Sequence, residues 1–147
     1  MKLSTKARYG TRAMVELAAA YPDRAVSVKE MGERQLLSLK YLEQIMAALK
    51  AAGLIRAVRG VHGGYALTRD PSTIKLTEVF QAVEGVPTLV ECVGDPEACP
   101  MRDRCPTRGI WVEMTTAIRR ILDGTTLADL VDTRKSRPCS LTPMYHI

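Results

Sequence analysis

Only two histidines and four cysteines occur among the 147 residues, and no two cysteines form a Cys-x-x-Cys pair. A zinc knuckle or a small thiol oxidoreductase needs that pair. Two histidines also suggest no Ser-His-Asp set, so the chain does not read as an enzyme. No apolar run approaches the roughly 18–20 residues of a membrane span. The opening Met1-Lys2-Leu3-Ser4-Thr5-Lys6 has no apolar signal core. A cytoplasmic protein with no membrane partner is therefore expected. Repeats and low-complexity tracts are missing too. The 46% hydrophobic and 25% charged residues are those of a chain that folds around a core.

The charge is unevenly placed. Residues 1–70 hold 12 Lys and Arg against 6 Asp and Glu, whereas residues 71–147 hold 9 against 10. The basic half suits a polyanion, nucleic acid before membrane surface, although a solvated basic face has the same composition.

Apolar spacing and caps predict the elements. Leu3, Ala7, Met14, Leu17, Ala18 and Tyr21 form a helical stripe, capped near Ser4 or Thr5 and stopped before Pro22. Ser27 and Glu30 form a capping box for a short second helix ending near Gln35. Leu36-Leu37 is a tight turn, and Ser38 caps a third helix. That helix buries Leu42, Ile45, Met46, Leu49 and Ala52 and ends at Gly53 in the left-handed C′ position. Residues 54–59 and 65–67 are strands, joined by a turn with glycines at 60, 63 and 64. Thr77 is expected to cap a helix through Val79, Phe80 and Val83 that ends at Gly85. Residues 85–106 lose their periodicity. Thr107 then caps a long helix with the stripe Ile110, Trp111, Met114, Ile118, Ile121 and Leu122. Thr126 and Asp129 box a short helix over Leu127–Val131.

The fold expected is mainly α with a small β-wing: a winged helix-turn-helix domain followed by a long C-terminal dimerisation helix. The spans are 1–84 for the DNA-binding domain, 85–106 for a cysteine-containing loop, which the resemblance given below makes a cluster-binding loop, 107–132 for the dimerisation helix and its follower, and 133–147 for a tail. A helix fits the major groove and its outward polar side chains reach base edges. The candidates are Ser38, Lys40, Tyr41, Glu43 and Gln44 on the third helix. On the wing they are Arg56, Arg59, Gly60, His62 and Gly63. Arg59 suits a minor groove, whose negative potential attracts a guanidinium. His62 alone reads as a loop-tip residue rather than a metal ligand.

Tyr41-Leu42-Glu43-Gln44, Arg59-Gly60 and Gly63-Gly64-Tyr65 follow one another in this order. With the opening nine residues and Thr126-Leu127-Ala128-Asp129-Leu130, they resemble the Rrf2 family of winged-helix regulators over about residues 1–132. The resemblance is nearest to the branch that carries an iron–sulfur cluster. It implies a homodimer on double-stranded DNA with a palindromic operator, with the long helices crossing.

Cys92, Cys99 and Cys105 are separated by six and five residues, with Arg102, Arg104 and Arg108 among them or beside them. Close thiolates repel unless a cation holds them, and nearby arginines lower thiol pKa. Pro100 and Pro106 favour extended backbone at the preceding cysteines. The residues alone leave open a cluster, a zinc site or three structural cysteines. The resemblance implies ligand roles for Cys92, Cys99 and Cys105, toward an iron–sulfur cluster of the [2Fe-2S] type. It supplies no fourth ligand. The family's histidine position holds Arg108, and its N-terminal carboxylate position holds Arg8. Cys139, His146, Asp103 or an exogenous ligand are the candidates. The resemblance thus implies a repressor whose operator binding responds to iron–sulfur, redox or nitric oxide status. The alternative is a metal-free regulator of sulfur metabolism, governed by a partner protein or by thiol oxidation.

Overall fold

The computed structural model describes residues 3–85, 87–95 and 97–136. Cys139 and His146 lie outside them. In chain order the elements are α1 (Thr5–Ala20), α2 (Val28–Gln35), α3 (Leu39–Ala51), β1 (Ile55–Val58), β2 (Gly64–Leu67), α4 (Leu76–Glu84), α5 (Glu91–Gly94), α6 (Arg108–Gly124) and α7 (Leu127–Ser136). The fold is mainly helical with a two-stranded wing.

Local chemistry sets the boundaries. Ser4 accepts the Ala7 N–H at 3.0 Å and starts α1. Ser27 accepts the Glu30 N–H at 3.1 Å and starts α2, but only this half of the expected box is seen. The Glu30 carboxylate instead pairs with Arg24 at 2.8 Å and Arg34 at 2.9 Å. These ion pairs and the Arg24 hydrogen bond first of all hold Glu30 below the ordinary carboxylate value. Leu36 ends α2 in the left-handed region (φ 54°), 89% exposed. Ser38 accepts the Tyr41 N–H at 3.3 Å and opens α3.

Leu42, Ile45, Met46 and Leu49 face the core from α3. Ala52 is at the helix end and exposed, not part of the buried face. Gly53 follows with φ 73°. The strands pair antiparallel from Ile55 with Leu67 to Val58 with Gly64. The first strand is one residue shorter at each end than the sequence spacing suggested, and the second begins one residue earlier, because Gly64 joins the ladder. A Cβ on Gly64 would lie 2.3 Å from the Val26 carbonyl oxygen. That close approach lets Tyr65 and Val26 exchange both N–H···O bonds at 2.9 Å. The wing is thereby tied to the segment that leads into α2.

Thr77 does not cap α4. Lys75 occupies the cap position, and Glu78 reaches back to accept the Lys75 N–H at 3.0 Å. Thr77 instead donates its hydroxyl to Asp123 at the end of α6. Thr107 does stand before α6, but its hydroxyl faces Cys105 Sγ at 3.3 Å rather than a helix N–H. The box of Thr126 and Asp129 is complete, at 2.8 and 3.2 Å. The helix it opens runs on to Ser136, past the expected Val131.

One core joins these parts. Met14, Leu17, Met31, Leu42, Met46 and Leu49 are fully or almost fully buried, and Leu122, Leu127 and Val131 join them from the far end of the chain. Leu76 donates to the Thr125 carbonyl at 2.9 Å, and Leu127 to the Ile74 carbonyl at 3.0 Å. These bonds hold α6 and α7 against α4.

Buried within α1 is a carboxylate the sequence reading missed. Glu16 is 4% exposed. It accepts from Gln35 at 2.7 Å and from Arg34 at 3.2 Å, and pairs with Arg134 at 3.0 Å. A buried charge is tolerable when it is paired and hydrogen-bonded in this way. No helix among the described residues is long and apolar enough to cross a membrane.

Candidate nucleic-acid interface and thiol segment

The α2 turn α3 unit offers its polar face outward. Ser38, Lys40, Glu43 and Gln44 are exposed along α3. Tyr41 is half-buried, its ring edge-on to Tyr9 with centroids 6.0 Å apart. That contact fixes α1 against the first turn of α3. The wing carries Arg56, Arg59, Gly60 and His62, all exposed, and the half-buried Gly63.

These residues do not form one uniform patch. His62 and Gly63 share a groove with Arg24, Ser27 and Glu30 at the start of α2. Arg56 lies in a different groove, with Leu17, Tyr21 and Arg24 at the end of α1. The structure therefore brings the wing tip beside the start of α2 and places Arg56 in a neighbouring groove, with Arg24 lining both.

Two further cations were missed in the sequence. Arg8 and Arg12 lie over the Tyr9 ring, at 5.6 and 5.7 Å from its centre, within cation–π range. Arg12 also donates to Gln35, the last residue of α2. For Arg12 the three-residue spacing from Tyr9 was the available signal; Arg8 is adjacent to Tyr9 and its sequence position gave none.

Between α4 and α6 lie the cysteines. Cys92 sits in the single turn of α5. Cys99 lies in the following turn, and Cys105 just before α6. All three are free and half-buried. The Thr107 hydroxyl, with backbone N–H groups and the Arg108 charge, holds the Cys105 thiol below its ordinary pKa. Arg108 keeps its Nε buried without a hydrogen-bond partner among the described residues. An acceptor such as thiolate or sulfide would satisfy that donor. The donor set thus fits an iron–sulfur group in its chemistry. In geometry it is not gathered, because no three His, Cys, Asp or Glu among the described residues converge on a metal position.

α6 has two apolar faces. Thr115 and Leu122 are buried against the body, with Trp111 and Ile118 half-buried beside them. Ile110, Met114 and Ile121 point away, 56%, 41% and 64% exposed. The single stripe read from the sequence is therefore divided between an inward and an outward face.

Comparison with known proteins agrees with this architecture. Residues 3–133 match the family model Rrf2, described as iron-dependent transcriptional regulator. The chain is 39% identical over 132 residues to the HTH-type transcriptional regulator IscR of Yersinia enterocolitica, covering 90% of this chain and 80% of that one. It is 37% identical over 130 residues to the HTH-type transcriptional regulator CymR of Bacillus subtilis, covering 88% and 89%. The solved structure of T. potens IscR superposes with a TM-score of 0.78 at 35% identity, covering 99% of this chain and 97% of that chain. The two named regulators are about equally similar to it. The chain belongs to the Rrf2 family, and is a DNA-binding transcriptional regulator with a winged helix-turn-helix fold rather than an enzyme.

Proposed function

We propose that this regulator binds a palindromic operator as a homodimer and that the thiol segment 92–105 controls its grip. The carrying observation is the placement of three free thiols between α4, the last helix of the DNA-binding body, and α6, whose outer face is apolar and exposed. Ser38, Lys40, Tyr41, Glu43 and Gln44 serve the major groove in this reading. Arg59, with Gly60, His62 and Gly63, serves the adjacent minor groove or phosphates. Arg56, in the neighbouring groove at the end of α1, serves phosphate contact. Two-fold symmetry in the protein then matches two-fold symmetry in the DNA, with half-sites about one helical turn apart.

Ile110, Met114 and Ile121 supply the dimer contact, since exposed apolar residues at this spacing bury readily against a copy of themselves. A change of order in residues 92–105 would alter how α6 is held, and thereby the spacing of the two α3 helices. A ligand biases such an equilibrium only through unequal affinity for its two states.

Cys92, Cys99 and Cys105 would hold an iron–sulfur cluster of the [2Fe-2S] type, with Arg108 as a nearby donor to sulfur. When bound, the cluster supplies a linkage that forms or breaks with iron supply, redox state or nitric oxide. Repression of transcription is the expected output. The fourth ligand is not Arg108, which stays protonated. Among the described residues, Asp103 is the protein candidate.

The separation of the thiols favours a second reading, a metal-free regulator controlled by thiol oxidation or by a partner protein. Similarity to CymR supports it no less than similarity to IscR supports the first. Iron and acid-labile sulfide, measured on protein purified without oxygen, separate the two. Stoichiometric iron and sulfide with visible absorption bands support the cluster. Their absence after anaerobic reconstitution supports the metal-free reading, with control by thiol oxidation or by a partner protein.

A further inference from the structure

Arg12 reaches from α1 to the end of α2, and one edge of its guanidinium is held there. Its Nε donates to the side-chain oxygen of Gln35. The guanidinium carbon lies 5.7 Å from the centre of the Tyr9 ring, and that ring meets Tyr41 in the first turn of α3. The side chain is exposed, and its two terminal NH2 groups make no hydrogen bond among the described residues. Arg24, Arg34, Arg69 and Arg134 each pair with a carboxylate, whereas Arg12 pairs with none among the described residues. Arg8 stands over the same ring at 5.6 Å and adds a second positive charge.

The direction of the Arg12 guanidinium is set from inside the protein. A carboxylate accepts hydrogen bonds and donates none, so Gln35 turns its NH2 to Glu16, at 2.7 Å. The Gln35 oxygen is left on the other side, where a donor fits, and Arg12 supplies it. Glu16 is itself fastened at both oxygens. Arg34 holds Oε2 at 3.2 Å, and Arg134 holds Oε1 at 3.0 Å beside Gln35. A planar fork held by its Nε edge presents its remaining N–H groups in a fixed direction, which suits the oxygens of a phosphate.

A helix that enters the major groove by its first turn brings the groups beside that turn to the phosphates at the groove's edge. We propose that Arg12 binds a backbone phosphate of the duplex, and that Gln35 is the positioning residue which, oriented by Glu16, aims it. The contact carries no sequence information and adds to those of Lys40 and Arg59. It rests on the reading that α3 faces the duplex.

The probe is the duplex that the full chain enriches from a randomised pool, titrated across a salt series. Arg12→Ala is expected to lower the slope of log affinity against log salt by about one, and to weaken binding about five- to tenfold near 0.1 M salt. Arg12→Lys should keep the slope, because it keeps the charge. Gln35→Met should weaken binding about threefold in the native chain, by releasing a preorganised group, and should cost nothing further once Arg12 is alanine. Ethylation of one phosphate in each half-site should interfere with the native chain and not with Arg12→Ala. The proposal is overturned if Arg12→Ala leaves the slope or the ethylation pattern unchanged, or if Gln35→Met costs as much without the Arg12 side chain as with it. A loss of affinity in Arg59→Ala with none in Arg12→Ala overturns this proposal alone. Failure to enrich any duplex overturns the reading of α3, and the proposal with it.

Discussion

Arg134, on the last helix, meets the carboxylate of Glu16, in the middle of the first, at 3.0 Å. The same carboxylate holds Arg34 and Gln35 at the end of α2. Glu16 thus ties α7 to α2, the helix before α3.

This arrangement ranks two substitutions. Glu16→Ala leaves Arg34 and Arg134 without their shared partner, but both are half-exposed and regain water. A loss of about 1–3 kcal/mol is expected. Arg134→Ala leaves Glu16 two partners, and about 1 kcal/mol is expected. Urea unfolding at fixed protein concentration measures both. Equal losses would show that Glu16 is not the shared anchor.

Gly64→Ala tests the wing. The added Cβ would meet the Val26 carbonyl, and φ is 154°. We expect about 1–3 kcal/mol of destabilisation, with faster amide exchange at Tyr65 and Val26 and weaker DNA binding. A wing that exchanges as slowly as in the native chain would refute the close approach.

Much of this was legible in advance because caps and helical periods are local. Ser4, Ser27, Ser38 and Gly53 mark their boundaries within a turn of sequence. Lys75 was not legible, because a lysine has no acceptor and its capping depends on Glu78 reaching back. Glu16 was missed because its three partners come from two distant helices. The division of the α6 stripe needed the body on which Thr115 and Leu122 pack. Of the candidate site, Lys40 and Arg59 are exposed as the sequence suggested. The thiols share a segment of chain without sharing a point in space, and cysteine spacing cannot reveal that.

Arg59→Ala and Lys40→Ala separate two kinds of DNA contact. If Arg59 reads a base edge or narrow groove, its loss costs about 1–3 kcal/mol. If Lys40 meets phosphate, its loss lowers the slope of log affinity against log salt by about one. Fluorescence anisotropy across a salt series gives both values. Unchanged binding in either variant removes that residue from the interface.

Acid should loosen the start of α7. The Thr126 hydroxyl first, then its backbone N–H, holds Asp129 below the ordinary carboxylate pKa. A depressed folded value means the unfolded chain binds the proton more readily. The contribution is therefore complete above about pH 4 and disappears as pH falls through the lowered folded value. Asp129→Asn should flatten this part of the stability profile. An unchanged acid limb would show that the box does not contribute.

Ile121→Glu and Met114→Glu place charges on the outer face of α6. Light scattering should show a monomer in place of a dimer, with the fold retained by circular dichroism. A dimer that persists in both would place the contact elsewhere.

The most direct test of the account is selection of duplexes from a randomised pool by the full chain. The account predicts enrichment of a two-fold symmetric sequence, bound with an affinity that falls steeply with added salt and is weakened by Arg59→Ala. Enrichment of no duplex, or of one bound equally well by a chain lacking both Lys40 and Arg59 side chains, would contradict it.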